Sequence, residues 1–423
     1  MDVSVKNLKT TGETALAALF APSGAAASKA LRQRAFDLFQ TMGLPSRRLE
    51  SWHYTDLKRM LANVAPRAAT SAAANVDAEA GACVIRFVDG HCIGHSALPK
   101  GVTLRGLSDV LAQGDADTLG ALYASVGSED PVVALNAALA DDGVVIDVAA
   151  GVTLDAAIIL DFVSSDATAR SEFMRCLVRV GAGAKLTLVE RHVSAQASAQ
   201  RHLALAVSVG TDASVSHVFE GVADLDVLLA SLLVDVAAQG NFQSFALVSG
   251  GRLTRRQIWV RAGQATQVGL RGVSLLRGEQ HADTTLVIDH VEPNSESREL
   301  FKHILDGSAT GVFQGKVVVQ PNAQKTDGGM KSHALILSDD ATMDNKPELE
   351  IYADDVVCGH GATVAQLDDD QLFYLMSRGI PKTQAQAMLI EAFALSAVDF
   401  VEDEVQREQV MTFVRDWMMA RGA

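Results

Sequence analysis

The spacing of apolar residues predicts two amphipathic helices in the first 65 residues. Apolar side chains recur three and four positions apart, which places them on one face of a helix. The first face consists of Leu16, Leu19 and Phe20, and the second of Leu31, Ala35, Leu38 and Phe39. Gly43 and Pro45 are expected to end the second helix. A short third helix is expected from Asp56, with Thr55 as its N-cap.

A linker and a β-hairpin follow these helices. The stretch 65–82 is rich in Ala and Ser and shows no apolar period, which is typical of a linker. Residues 84–88 are apolar and β-branched, and Asp89-Gly90 after them favours a tight hairpin turn. Residues 1–140 are therefore predicted to form an N-terminal helical region with a β-hairpin.

The pattern changes near Gly143, where short Val-, Leu- and Ile-rich runs replace the helical period. A small residue, two variable residues and an apolar residue recur at the start of these runs, with looser copies near Gly240, Asp283 and His333. The intervals are roughly 18 to 32 residues, as in stacked coils of a solenoid. The motif begins at Gly151, Gly183, Asp212, Ala265, Ala309 and Gly361. A β-sandwich with Greek-key links is the alternative, but abundant Val and only 5% aromatic residues favour a solenoid over 141–367.

Helical spacing returns in residues 368–423, which are predicted to form a C-terminal helical region. One helix ends near Gly379, and Pro381 suits the first turn of the next helix. That second helix carries an apolar stripe of Met388, Leu389, Ala392 and Phe393, and a last helix carries Val410, Phe413, Val414 and Trp417. Such stripes either pack onto the solenoid, for instance as a cap on its end, or bind a partner in a groove.

Charge and composition exclude several function classes. The net charge of −15, from 51 acidic and 36 basic residues, argues against binding of nucleic acid or an anionic membrane surface. No run approaches the roughly 18 apolar residues of a membrane span, and the N-terminus lacks the pattern of a secretory signal. Four irregularly spaced cysteines do not indicate a disulfide framework. We therefore expect a soluble protein of the cytoplasm.

Cys358-Gly359-His360 is the strongest candidate for chemistry. It lies in an apolar, Val-rich run, and in a strand the residues i and i+2 project from the same face. A thiolate and an imidazole suit zinc or iron–sulfur species. Two ligands cannot complete a four-coordinate site, so further ligands would have to come from elsewhere, plausibly from a second protein. The alternative interpretation is a half-buried cysteine and a turn histidine without a ligand.

Motifs of an autonomous enzyme are missing from the sequence. It contains no G-x-x-x-x-G-K-[ST] phosphate loop, no G-x-S-x-G elbow, no H-E-x-x-H and no C-x-x-C pair. The cluster His91-Cys92-x-x-His95 lacks a second pair of ligands, and the acidic clusters do not match a calcium loop. We interpret both as structural features and predict a protein that is not itself an enzyme.

Two long runs resemble the SufB/SufD family of iron–sulfur cluster assembly scaffolds. Residues 311–327 read GVFQGKVVVQPNAQKTD, and residues 346–363 read KPELEIYADDVVCGHGAT. The similarity extends over about 265–415 and includes Arg378-Gly-Ile-Pro381 with the helix after it. The run ESWHYT at 50–55 resembles the SufD branch, although His53 stands where many relatives carry Lys or Arg.

The resemblance implies a fold, partners and site residues. The implied fold is a right-handed parallel β-helix between helical terminal regions. The implied partners are a SufB-like paralogue, which pairs through the β-helix ends, and a SufC-like ATPase, which binds the C-terminal helices. His360 corresponds to a family position proposed to hold nascent cluster or metal at the paralogue interface, and Cys358 is the second candidate. The expected ATPase contacts are Met388, Leu389, Ala392 and Phe393.

The resemblance also bears on cofactors and on alternatives. An iron–sulfur cluster or iron would be bound only transiently at the subunit interface, and none stably by this chain alone. A homodimer is possible when the chain is isolated. One alternative is a purely structural partner without a metal ligand. A carbohydrate-active β-helix enzyme is less favoured, because secretion signals and aromatic sugar platforms are missing.

Overall fold

The computed structural model describes residues 9–69, 72–79, 81–194, 198–222, 224–398 and 404–421. These residues are mainly in β-strands, with helices toward both termini. The helices are α1 (Thr11–Ala18), α2 (Ala26–Met42), α3 (Leu57–Met60), α4 (Leu107–Gln113), α5 (Ala116–Tyr123), α6 (Pro131–Leu139), α7 (Asp369–Ser377), α8 (Lys382–Val398) and α9 (Glu404–Arg421), with a 3₁₀ turn at Glu50–Trp52. In this described part of the chain, no helix is long and apolar enough to cross a membrane.

The strands form two long sheets that face each other. They are β1 (Cys83–Val88), β2 (His91–His95), β3 (Val102–Gly106), β4 (Val144–Val148), β5 (Ile158–Ser164), β6 (Arg170–Val180), β7 (Lys185–Ser194), β8 (Ala199–Val209), β9 (Ser214–Gly221), β10 (Val227–Val236), β11 (Asn241–Ser249), β12 (Leu253–Ala262), β13 (Gln267–Leu276), β14 (His281–His290), β15 (Glu296–Leu305), β16 (Thr310–Val319), β17 (Asp327–Ile336), β18 (Thr342–Ile351) and β19 (Val357–Ala365).

Alternate strands of the chain belong to alternate sheets, which makes the molecule a parallel β-solenoid. Sheet 1 has the order β19-β17-β15-β13-β11-β9-β7-β5-β1-β2, and sheet 2 has the order β18-β16-β14-β12-β10-β8-β6-β4-β3. β5 pairs in parallel with β1, and from β6 onward each strand stacks in parallel register on the strand two positions earlier. The predicted solenoid is confirmed, and the β-sandwich alternative is wrong because its strands would pair antiparallel, whereas these coils pair in parallel.

Left-handed residues mark one turn of each coil and explain the weak repeat in the sequence. Gly151, Gly183, Asp212 and Ala265 all have positive φ and lie between strands. The Gly183 amide donates to Thr211 of the next coil, and the Asp212 amide donates to Ala238 in the same way. The repeat also predicted the start of a strand at Gly361. This prediction is wrong, because Gly361 lies inside β19.

Inward-facing side chains fill the solenoid with a continuous apolar core. Alternate residues of each strand point inward, so equivalent residues of successive coils stack in columns. Leu270 and Phe301 on sheet 1 and Ile288 and Val317 on sheet 2 belong to this core. The predicted hairpin is confirmed, since β1 and β2 pair antiparallel. Together with β3, these strands contribute to both sheets, although they lie in the predicted N-terminal region.

The N-terminal helices cover the outer face of sheet 2. Trp52 is fully buried, and the Arg255 guanidinium lies 3.6 Å from the centroid of its ring. The expectation that Thr55 caps the third helix is wrong: Asp56 accepts the hydrogen bond from the Arg59 amide. The Thr55 hydroxyl instead bonds to the buried Asp283 carboxylate of β14. This contact fixes the 50–55 run to the coils near the C-terminal end.

The C-terminal helices α8 and α9 lie along the outer face of sheet 1 and not over the end of the solenoid. Ile390 and Ala394 of α8 and Val414 of α9 share a buried apolar cluster with Val273 and Ile304 of sheet 1. Capping of the solenoid end was one of the roles that the sequence allowed for these helices. Such a cap is not found in the described residues. Among the residues that the structure describes, no further strand pairs with the last coil.

Candidate functional site

The open end of the solenoid consists of β18 and β19. Each is the last strand of its sheet, so among the described residues its outer edge has no strand partner. Core-facing Met343, Leu349 and Cys358 are only partly buried, because no further coil covers them. Val357 and Tyr352 are 71% and 60% exposed. Such an edge, with an uncovered core beside it, is a template for another chain.

Cys358 lies on the inward face of this last coil. It stacks on Gly328 of β17, where a Cβ would lie 3.5 Å from the Cys358 sulfur, 3.6 Å from Val317 and 3.7 Å from Ser297, so these three side chains border the space that the glycine leaves. Burial raises the pKa of the Cys358 thiol, and the nearby carboxylates of Asp327 and Glu299 raise it further. The free thiol is therefore protonated at neutral pH and must lose its proton to bind a metal.

His360 lies on the same face, one column away. It stacks on Met330, which is itself 1% exposed, yet the imidazole at the open end is exposed to solvent. Within the described part of the chain we find no hydrogen bond to its ring. The imidazole is therefore free to bind a ligand or a metal that arrives from outside the solenoid.

Together these two side chains form an incomplete donor set. Cys358 and His360 were expected to share one face of a strand, and this is confirmed in β19. Both project from the interior side of the open end. No group of three or more His, Cys, Asp or Glu side chains able to hold a metal is found in the described residues. A thiolate and an imidazole could hold a soft metal only if other donors completed the coordination shell.

Sequence reasoning missed two residues behind this pair. Glu299 stacks under Met330 in the column that ends at His360, and Ser297 stacks under Gly328 in the column that ends at Cys358. Glu299 is 2% exposed, and neither of its carboxylate oxygens has a hydrogen-bond partner in the described residues. Burial raises the pKa of Glu299 to about 8. The only signal that the sequence offered for Glu299 was an acidic residue at a strand position where the alternation predicts a side chain facing the core.

The residues expected to contact an ATPase lie at the border of the buried face of α8. Met388 is 43% exposed and Ala392 is also exposed, while Leu389 and Phe393 are half-buried. Phe393 packs against the sheet 1 cluster. The residues that α8 buries most deeply are Ala385, Ile390, Ala394, Ala397 and Val398. The predicted stripe is thus mostly available to a partner, and its role stays a prediction.

The histidine–cysteine cluster near the hairpin has a structural environment. His91 Nδ1 lies 3.2 Å from Asp142 Oδ2, and burial raises the pKa of Cys92 to about 11. His95 is exposed on β2, where its Nδ1 is 2.7 Å from the Ser96 carbonyl oxygen. This arrangement supports the interpretation of the cluster as structural.

Comparisons with known proteins place the chain in a family. Residues 162–393 match the model of the SUF system FeS cluster assembly SufBD core domain, and residues 16–80 and 75–160 match that of the SufBD protein N-terminal region. The core match includes every coil from β6 to β19 as well as α7.

Individual relatives agree with this assignment. The chain is 35% identical to the iron–sulfur cluster assembly protein SufD of Escherichia coli over 236 residues, which are 54% of this chain and 55% of that protein. It is 30% identical to protein ABCI7, chloroplastic, of Arabidopsis thaliana over 78% of this chain and 71% of the relative. An iron–sulfur cluster assembly SufBD family protein of Synechocystis is 29% identical over 87% and 86% of the two chains. From its solenoid, its two family matches and these relatives, we conclude that the chain belongs to the SufBD family of iron–sulfur cluster assembly proteins.

Proposed function

We propose that this chain is the SufD-like subunit of a cluster assembly scaffold in the cytoplasm and that a SufB-like paralogue closes its open end. The observation that carries the proposal is the position of Cys358 and His360 on the inward face of an uncovered last coil. A partner that docks there buries the exposed core and pairs the strand edges. It can also add the donors that the thiol and imidazole lack.

The incomplete donor set suits a scaffold that releases its product. A site closed by four ligands of one chain would retain a metal, whereas ligands divided between two subunits separate when the interface rearranges. Iron and sulfide are then substrates held for a limited time. We propose that the chain has no catalytic residue of its own and that ATP is hydrolysed by a separate SufC-like subunit bound at the C-terminal helices.

Anaerobic reconstitution tests the half-site. The mixed complex with the SufB-like paralogue is supplied with iron and sulfide, and cluster is measured by its visible absorbance and by bound iron. His360→Ala is expected to reduce the cluster yield about tenfold or more, because one donor is lost. Circular dichroism should be unchanged, since the ring is exposed and makes no hydrogen bond in the described residues.

His95→Ala is the matched control. This histidine is also exposed, but it lies on β2, the terminal strand at the opposite end of sheet 1. Equal cluster yields in the wild-type, His360→Ala and His95→Ala complexes would contradict the half-site. They would favour the alternative of a purely structural subunit.

A further inference from the structure

Three basic side chains cluster on the outer face of sheet 1 next to the open end. Lys302 of β15 stacks on His333 of β17, which stacks on Thr363 of β19. Lys331 lies in the adjacent outward column, between Leu300 and Gly361. The three side chains therefore occupy neighbouring positions one and two strands from the free edge of the sheet. We name them the basic face.

The basic face has no anionic partner in the described residues. Neither lysine forms an ion pair there, although Lys316 and Lys346 each lie 2.7 Å from a glutamate oxygen. The Lys302 ammonium lies 4.3 Å from the Phe393 ring centroid, an interaction that holds a cation in place without neutralising it. Two neighbouring lysines without an ion pair in the described residues are unexpected on a chain with a net charge of −15.

The two ammonium groups also repel each other, and they disfavour a charge on His333. Partial burial, followed by the charge of Lys331, lowers the pKa of Lys302. Partial burial, with Lys302 and Lys331, lowers the pKa of His333. A carboxylate brought close to this face would relieve the repulsion.

The free edge leaves room for such a carboxylate. The outward positions of β19 that stack on the basic face are Gly361, over Lys331, and Thr363, over His333. No atom lies within 4 Å of where a Cβ of Gly361 would be, and the Thr363 hydroxyl is 2.7 Å from His333 Nδ1. A strand added to β19 would lie about 10 Å from β17, because strands in a sheet are about 4.8 Å apart. An extended glutamate and an extended lysine can together cover that distance over a glycine.

We propose that the strand which docks on β19 presents outward-facing acidic side chains to Lys302, Lys331 and His333. This inference rests on the proposed function and specifies the chemistry of the partner. The outward residues of β19 itself are Val357, Gly359, Gly361, Thr363 and Ala365, none of them acidic. Edge-to-edge pairing of two β19 strands would leave both basic faces unneutralised. The outward Glu348 and Glu350 of β18, the other edge strand of a second copy, already form ion pairs with Lys346 and Lys316. The basic face therefore favours an acidic companion over a second copy.

Charge reversal tests the inference on the full-length chain. Binding of the purified SufB-like paralogue is measured by isothermal titration calorimetry for the wild type, for Lys331→Glu and for the double variant Lys302→Gln, Lys331→Gln. The dissociation constant is expected to rise about tenfold in each variant, because the double variant loses two partly exposed ion pairs and Lys331→Glu replaces one ion pair by a repulsion. The wild-type affinity should fall more steeply with added salt than that of the double variant.

Lys185→Glu is the matched control, because Lys185 is exposed on β7 of the same sheet, far from the open end. A complex that forms equally well with Lys331→Glu and Lys185→Glu would overturn the inference and leave the proposed function standing. Failure of the wild-type chain to bind the paralogue would overturn both. Self-association of the chain that is lost in Lys331→Glu would also overturn the inference, because it would make the second copy the occupant.

Discussion

At the scale of single residues, two buried glutamates of the solenoid interior have pKa values shifted in opposite directions. Burial alone would raise the pKa of Glu190, but hydrogen bonds and charge interactions with His192 and His217 hold it at about 2. The His192 Nε2 atom lies 2.8 Å from a Glu190 carboxylate oxygen. Glu299 has no such partner in the described residues, and the Ser297 hydroxyl next to it is 3.1 Å from His290 Nε2. Glu299 is therefore neutral at pH 7, and Glu190 is charged.

The unpaired Glu299 predicts a pH-dependent stability. Its pKa is about 8 in the folded chain, against about 4.3 in an unfolded chain. Between these values the folded state keeps a proton that the unfolded state releases, so the free energy of unfolding falls as the pH rises from about 4 to about 8. Glu299→Gln should remove this loss, so its free energy of unfolding at pH 8 should exceed that of the wild type by a few kcal/mol. Urea unfolding from pH 5 to pH 8 measures it.

The exposed Glu279→Gln serves as the control for this measurement, since it removes a surface carboxylate on the turn after β13. We expect the difference between Glu299→Gln and the wild type to grow with pH, and that between Glu279→Gln and the wild type to stay constant. Parallel curves for all three proteins would mean that Glu299 is ionised inside the solenoid.

At the scale of elements, α8 shows how a helix that is apolar nearly all round divides its faces. Ile390 and Ala394 pack on sheet 1, and the alanine lets the helix axis approach the strands closely. Met388 and Ala392 point away from that contact and are exposed. The apolar spacing predicted the helix correctly, but apolar residues recur three and four positions apart on both of its faces. The contact with sheet 1 selected which face is buried.

The division of α8 gives a prediction for ATPase binding. Met388→Glu with Ala392→Glu should weaken binding of the SufC-like subunit at least about tenfold, because two charges would enter an apolar contact. The melting temperature should hardly change, because both side chains are exposed. Ile390→Ala should instead lower the free energy of unfolding by roughly 2 to 4 kcal/mol. Calorimetric titration and thermal unfolding measure the two effects.

The exposed Gln384→Glu, one turn earlier on α8, is the control for a charge that merely lies on this helix. If the variant Met388→Glu with Ala392→Glu bound the ATPase subunit as well as the wild type, the contact would have to lie on another surface of the chain.

At the scale of the whole molecule, the two ends of the solenoid differ. At the first end a hairpin and a short antiparallel strand finish the sheets, so the parallel stack does not continue. At the other end β18 and β19 have no such device among the described residues, and α8 and α9 lie along the outer face of sheet 1. An edge of this kind promotes pairing with another chain.

The isolated chain is therefore expected to self-associate through the open end when no paralogue is present. Ile351 and Val364 are 41% and 54% exposed there. Ile351→Lys with Val364→Lys should shift the protein toward monomer in sedimentation equilibrium, because charges at an apolar edge oppose pairing. Phe373→Lys, which changes an exposed residue on α7, should leave the association unchanged. If only the Phe373 variant became monomeric, the contact would belong to the C-terminal helices.

Several elements could be predicted because their signals are local. The second helix ends at Gly43, where φ is +71°, and the Asp89-Gly90 turn joins β1 to β2. The alternation of β19 placed Cys358 and His360 on one face. Thr55 was misassigned because its hydroxyl bonds Asp283, which is distant in sequence, and local capping rules cannot register such a partner.

The amino-acid sequence by itself determined the solenoid, the terminal helices and the family, because strand period, turn residues and long motifs depend on neighbours along the chain. Only the tertiary structure decided that the C-terminal helices lie along sheet 1 and leave the last coil open. It also placed Glu299 behind His360 and gathered Lys302, Lys331 and His333 beside β19. These arrangements depend on which strand stacks on which, and stacking joins residues about thirty positions apart that no local pattern connects.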